Sequence, residues 1–189
     1  MADESSTARD AILAAAVCVL QEEGPAKLTQ TRVAKVANVR QGHLTYYFPR
    51  KADLWVATAA RAQDEMESEL TELLASLGLA ESTDDMREKF VFLVGEVVKN
   101  QQRTRLIMSL ALQAQEDPEL MKLCRGHAER SRNFLRAALG DRYSDATVEL
   151  ALAALWGLGT RELITQEGKD DCVSLHLIES LFDMLERVQ

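Results

Sequence analysis

Apolar side chains return every three to four residues along most of this chain, and its strongest helix-breaking signals fall between those runs. Gly24-Pro25, Pro49 and Asp117-Pro118 mark such boundaries. No convincing alternating strand, internal repeat or low-complexity segment interrupts the pattern. Among 189 residues there are nine glycines and three prolines, while Ala, Leu, Glu and Arg recur. The best helix formers dominate and the breakers are rare, so the fold class expected is all-α.

The first helix is expected from about Thr7, where Thr7 and Asp10 fit a capping box, with Ile12, Leu13, Ala16, Val17 and Leu20 on its apolar face. A short helix follows from Thr29 to about Val36, with Thr29 as N-cap and Leu28 and Val33 placed as a hydrophobic staple. Asn38 then occupies a turn of the kind that often needs positive φ, which Asn tolerates better than most residues. A third short helix runs from about Arg40 to Tyr47. After Pro49 a long helix from about Arg50 to Leu77 carries Trp55, Ala59, Ala62, Met66, Leu70, Leu73, Leu74 and Leu77 as a stripe. Ser82 and Asp85 form another capping box, opening a helix through Phe90, Leu93, Val94 and Val97. Further helices are expected over about Arg103–Gln115, from Asp117-Pro118 to near Gly140, over Ser144–Gln166 with Gly168 as stop, and over about Asp171–Arg187.

Charge is distributed unevenly along this helical chain. The protein has 22 Lys and Arg against 30 Asp and Glu, a formal net charge of −8. Residues 1–52 hold 7 bases and 5 acids, and the remainder 15 and 25. From Gly24 to Lys51 there are six bases, Lys27, Arg32, Lys35, Arg40, Arg50 and Lys51, and no acid. A positive patch on an acidic protein points to one surface that meets a polyanion.

The same stretch carries a motif. Val33, Ala34, Ala37, Val39 and Leu44 are small or apolar where two crossed helices would touch, and the residues between them are polar. The run from Leu28 to Leu54 has a Thr-led helix, Val-Ala at its centre, Ala-Asn-Val at the turn, then Gly42-x-Leu44-x-x-Tyr47-Phe48-x-x-Lys51-x-x-Leu54. It resembles the DNA-binding signature of the tetracycline-repressor-like (TetR/AcrR) regulators and covers about the first quarter of the chain. Three positions depart from that signature: Asn38 stands where Gly is usual, Arg40 where Ser is frequent, and Thr45 where Tyr is usual. The resemblance implies a helix-turn-helix domain over residues 1–50. It also implies a helical effector-binding and dimerisation domain over residues 51–189, with the long helix of about 50–77 connecting them.

In such a motif the second helix lies in the major groove and reads base edges. By matching position, Arg40, Gln41, His43 and Thr45 are candidates for base edges. Thr29, Thr31, Tyr46, Tyr47 and Lys51 are candidates for phosphates. Tyr47 has an equal claim to simple packing, and Lys35 reads best as solvated charge.

In the remaining two-thirds, Val148, Ala151, Leu152, Leu155, Leu158 and Gly159 share a helix face, and Val173, Leu177, Leu181 and Leu185 recur on the last helix. Pairing these helices about a two-fold axis would bury both stripes, with Leu152, Leu155, Gly159, Leu177, Leu181 and Leu185 at the dimer interface. Phe90, Leu93, Val94, Met108, Leu112, Phe134 and Trp156 lie on helices that in the family surround a ligand, which implies a hydrophobic or amphipathic effector.

Cys18, Cys124 and Cys172 are far apart, with no CxxC pair, and read as reduced thiols rather than a disulfide framework or zinc site. No metal or cofactor is expected. His43, His127 and His176 do not pair with cysteines or carboxylates at metal spacing, and no GxSxG, HExxH or phosphate-cradling glycine loop is present, so an enzyme is not expected. No segment approaches the roughly 20 apolar residues that span a bilayer. The acidic N-terminus is unlike a secretory signal, so a cytoplasmic location is expected. The reading is a ligand-responsive transcriptional regulator, a repressor that binds a palindromic operator as a homodimer. The alternative is a sequence-specific or architectural DNA-binding protein of the same fold without an effector.

Overall fold

The computed structural model describes residues 2–78, 83–139, 143–165 and 171–187. The described helices are α1 (Ala2–Glu22), α2 (Gln30–Val36), α3 (Gln41–Tyr47), α4 (Lys51–Leu77), α5 (Thr83–Lys99), α6 (Gln101–Gln113), α7 (Pro118–Leu139), α8 (Asp145–Thr165) and α9 (Asp171–Arg187). Single 3-10 turns lie at Pro25–Lys27 and Ala114–Glu116, and no strand occurs among the described residues. The all-α expectation holds.

Local chemistry accounts for most helix ends. Thr29 Oγ1 accepts from the Arg32 backbone N–H at 3.2 Å, capping α2. Asp117 Oδ1 accepts from the N–H groups of Glu119 and Leu120 at 2.9 and 3.2 Å, and Pro118 fills the first position of α7. Ser144 Oγ accepts from the Thr147 N–H at 3.1 Å, capping α8. One start differs from expectation. α1 begins at Ala2 rather than near Thr7. Ser82, Gly140, Gln166 and Gly168 lie outside the described residues.

The chain forms two compact units. The first is Met1–Ser68 with Arg105–Gly126, and the second is Glu69–Thr104 with His127–Gln189. α4, α6 and α7 therefore contribute residues to both. The core of the first unit is built on Ile12, Leu20, Leu28, Val33, Leu44, Leu54, Leu106 and Leu120, none of which is exposed to solvent. Burial of each such side chain contributes about 1.5–3 kcal/mol, and it is this packing that holds the short α2 and α3 helical.

The core of the second unit joins α5, α7, α8 and α9 through Phe90, Val94, Leu135, Val148, Ala151, Ile178 and Phe182. The rings of Phe90 and Phe182 lie 5.4 Å apart. Gly159 permits a close approach here, because a Cβ built on it would fall 3.0 Å from Thr104 Oγ1 on α6.

Candidate nucleic-acid interface

α2 and α3 are joined by a turn in which Asn38 has φ of +55°. It is the one non-glycine residue in the left-handed region among those described, as its position in the motif led us to expect. The Val39 N–H donates to Ala34 O at 2.9 Å and closes the turn. Val33, Ala34 and Leu44 are buried and Ala37 and Val39 pack partly buried against them, so the small residues meet where the helices cross. Gln30 adds a tie the sequence reading missed. Its Nε2 donates to Phe48 O at 2.6 Å and to Pro49 O at 3.4 Å, holding the end of α3 against the start of α2. No spacing signal foretold it, since the partners are backbone carbonyls 18 and 19 residues away.

This scaffold turns one face of α3 outward. Arg40, Gln41 and His43 are exposed, and Tyr46 is 77% exposed. None of the four makes a hydrogen bond or ion pair through its side chain among the described residues. Arg40 is the N-cap residue of α3 by backbone geometry, but its side chain caps nothing. Gly42 lies on the same face, and a Cβ built on it would meet nothing within 4 Å. Thr45 is half-buried, and its hydroxyl donates to Gly42 O at 3.1 Å. Tyr47 packs half-buried against the core, its ring 5.3 Å from His43 and 5.2 Å edge-on to Tyr46. Packing therefore occupies the Tyr47 ring. Thr29, Thr31 and Lys51 are exposed beside this face in sequence, with Thr29 already engaged as the α2 cap.

The acid-free stretch is less unpaired than its composition suggests. Arg32 forks onto Glu23, with Nε 2.9 Å from both carboxylate oxygens and an Nη 2.6 Å from one. That hydrogen bonding, aided by the charges of Arg32 and Lys27, holds the Glu23 carboxyl below its ordinary range. Arg50 engages Asp53 in the same way, and the Arg50 N–H also donates to Asp53 Oδ2 at 3.0 Å, capping α4. The Asp53 carboxyl is lowered by those bonds. Both acids stand just outside the window from Gly24 to Lys51. Lys35, Arg40 and Lys51 are left with no ion pair among the described residues. Arg9, on α1, lies with its guanidinium 5.5 Å from the centre of the Phe48 ring.

The other expected site residues fall as follows. Phe90, Leu93 and Val94 are buried in the second unit, Phe134 is half-buried there and Trp156 is 48% exposed. Met108 and Leu112 belong to the first unit on the exposed side of α6. Of the expected interface residues, Leu152, Gly159 and Leu185 are buried within the second unit, and Leu155, Leu177 and Leu181 are partly buried. Among the described residues no group of three His, Cys, Asp or Glu side chains is placed to hold a metal ion.

A helix crossing an N-capped helix through a left-handed turn, with its outer face polar and unpaired, defines a helix-turn-helix DNA-binding fold. Residues 12–58 match the family model of the bacterial regulatory proteins of the tetR family. The whole chain is similar in structure to a transcriptional regulator from Rhodococcus sp. Rha1, at 20% identity and a TM-score of 0.77, over 95% of this chain and 96% of that one. It is similar to a putative transcriptional regulator from Streptomyces coelicolor A3(2), at 26% identity and a TM-score of 0.70, over 92% and 97%. It is also similar to the multidrug binding protein EbrR complexed with proflavin, at 26% identity and a TM-score of 0.66, over 92% and 99%. No curated protein sequence matches it at a significant level. The N-terminal region thus matches the tetR family of bacterial regulatory proteins, and the whole chain shares the fold of solved transcriptional regulators.

Proposed function

We propose that this protein is a ligand-responsive repressor that binds a palindromic operator as a homodimer and is released by a small amphipathic effector. The observation that carries the DNA-binding part is the outer face of α3, where Arg40, Gln41, His43 and Tyr46 stand exposed with no side-chain hydrogen bond or ion pair among the described residues. A helix whose opposite side is locked into a core can present such residues to base edges at little entropic cost. Residues 1–50 act as the reading domain and residues 51–189 as the effector-binding and dimerisation domain. No described helix is long and apolar enough to cross a membrane, and the protein acts in the cytoplasm, where its DNA lies. We do not read it as an enzyme.

Dimerisation is supported by α8. Its inner side packs Val148, Ala151, Leu152 and Gly159 into the second unit. Its outer side still carries Leu150 at 71% and Ile164 at 74% exposure, with Trp156 between them and Met184 exposed on α9. An apolar patch of this kind marks a protein–protein surface, and a TetR-type reading head needs a two-fold partner to read both half-sites. We place the interface on Leu150, Trp156, Gly157, Ile164 and Met184 as well as on the partly buried Leu155, Leu177 and Leu181. An effector in the second domain would act on α4, and it shifts the balance between two conformations only by binding them with different affinity.

The test is binding of the purified protein to duplex DNA from its own gene neighbourhood across a salt series, against random duplex. Preference for one inverted repeat, with affinity falling steeply as salt rises, is expected. Equal binding to all duplexes, or none at low salt, overturns the reading. The packing of Phe90, Leu93 and Val94 inside the protein's own core favours the alternative without an effector. A small-molecule thermal-shift screen of the folded protein separates the two.

A further inference from the structure

Arg9 stands on α1, outside both the acid-free stretch and the matched residues 12–58. Its guanidinium carbon lies over the Phe48 ring, 5.5 Å from the centroid. The side chain is exposed and makes no hydrogen bond or ion pair among the described residues. Phe48 is itself held in place. It is 3% exposed, its N–H donates to Leu44 O at 2.9 Å, and its carbonyl accepts from Gln30 Nε2 at 2.6 Å. The ring under Arg9 is therefore tied to the end of α3 and to the start of α2 at once. α1 is fixed on the same core through Ile12, Leu13 and Ala16.

This junction lies among the residues read above as phosphate contacts. Gln30 stands between Thr29 and Thr31, and Phe48 follows Tyr46 and Tyr47 and precedes Lys51. Two arginines of the same region, Arg32 and Arg50, are each engaged by a carboxylate, which cancels their charge and takes up their N–H groups. Arg9 is anchored differently. An aromatic ring attracts a guanidinium through its face, while the five N–H donors lie in the plane of the group and stay available. The ring carries no net charge, so the cation also remains uncompensated. Packing thus fixes the place of Arg9 beside the reading helix and leaves both its charge and its fork for an anion with paired oxygens, such as a phosphate.

We propose that Arg9, seated on Phe48, binds a phosphate of the DNA backbone and extends the interface from the helix-turn-helix onto α1. This inference rests on the DNA-binding reading above and adds to it a residue that the motif does not contain.

The experiment measures binding of the full chain to the duplex from its own gene neighbourhood and to random duplex, by fluorescence anisotropy across a salt series. Arg9→Met keeps an apolar stem over Phe48 and removes the charge. It is expected to melt as wild type does, to weaken both duplexes by the same factor, and to make the slope of log affinity against log salt shallower by about 1 per bound protomer. Arg9→Lys keeps the charge and is expected to recover the slope. A single methylphosphonate placed in turn along each half-site should identify one phosphate whose neutralisation weakens wild type but not Arg9→Met. A wild-type slope in Arg9→Met, with or without a lower melting temperature, would make Arg9 a packing residue and overturn the proposal. So would weakening confined to one sequence, a slope that Arg9→Lys does not recover, or the absence of any such phosphate. If wild type binds no duplex even at low salt, the DNA-binding reading itself falls; if it binds and the Arg9 variants match it, only this contact is lost.

Discussion

Arg40 and Lys51 are both exposed cations without an ion pair among the described residues, and our reading gives them different tasks. Arg40 stands at the start of the reading helix, and its fork suits guanine O6 and N7. Lys51 begins α4, beyond the reading helix, where in our proposal a point charge would meet a phosphate. Arg40→Ala is expected to cost about 1–3 kcal/mol on the operator and to relax sequence preference, whereas Lys51→Ala weakens all duplexes alike. Footprints on mutated operators distinguish the two, and uniform weakening by both substitutions would refute the division. Gly42 makes a sharper case, since nothing within the protein requires it to lack a side chain. Gly42→Ala should raise stability by about 0.5–1 kcal/mol, as alanine does in an exposed helix, yet lower DNA affinity by holding the backbone of α3 off the duplex. Urea unfolding and fluorescence anisotropy measure the two effects separately. His127 gives a pH signature. Its folded pKa of about 4 is below the ordinary 6.5, so the unfolded chain binds the extra proton. Its contribution is fully present above pH 6.5 and is lost as pH falls toward 4. Unfolding measured at pH 7 and pH 5 should show a smaller drop in stability for His127→Gln than for wild type.

At the scale of elements, helix existence was legible and burial only partly so. α2, α3 and the turn between them were readable because Thr29, Asn38 and the Val-Ala pair each act locally. Asn38 should be tested there, since Asn38→Val forces a β-branched side chain to hold φ of +55° and is expected to cost about 1–2 kcal/mol, while Asn38→Gly is tolerated. Thermal unfolding of the two variants checks this. The start of α1 lies before the Thr7–Asp10 pair because a capping-box pattern also fits inside a helix, where it marks no boundary. Leu112 and Phe90 both sit in apolar stripes, yet one is 70% exposed and the other buried. That difference is set by which helices meet, a non-local matter that periodicity does not carry. For the same reason α8, apolar around most of its circumference, gave no sign of which side faces inward. Glu23 and Asp53 were invisible as partners of Arg32 and Arg50 because the count of acids stopped at the edges of the window.

At the scale of the whole molecule, the outer strip of α8 governs assembly in our reading. Ile164→Glu places a charge in that strip without touching the inner packing, and is expected to cost about 2 kcal/mol or more of association free energy. Sedimentation velocity would then show monomer at concentrations where wild type is dimeric, and operator affinity would fall in step. An unchanged dimer would move the interface elsewhere. The strip from Leu150 through Ala153, Trp156, Gly157 and Thr160 to Ile164 contains no charged side chain. It therefore has no pattern of plus and minus by which to refuse a related chain that shares its greasiness. What it does have is relief: the projecting indole of Trp156 beside the bare backbone of Gly157, a knob next to a socket on one helix. A two-fold axis would carry each indole toward the other copy's socket, so a chain without both would leave one ring stranded. Fidelity of pairing in a cell stocked with similar regulators would then be a matter of relief rather than charge.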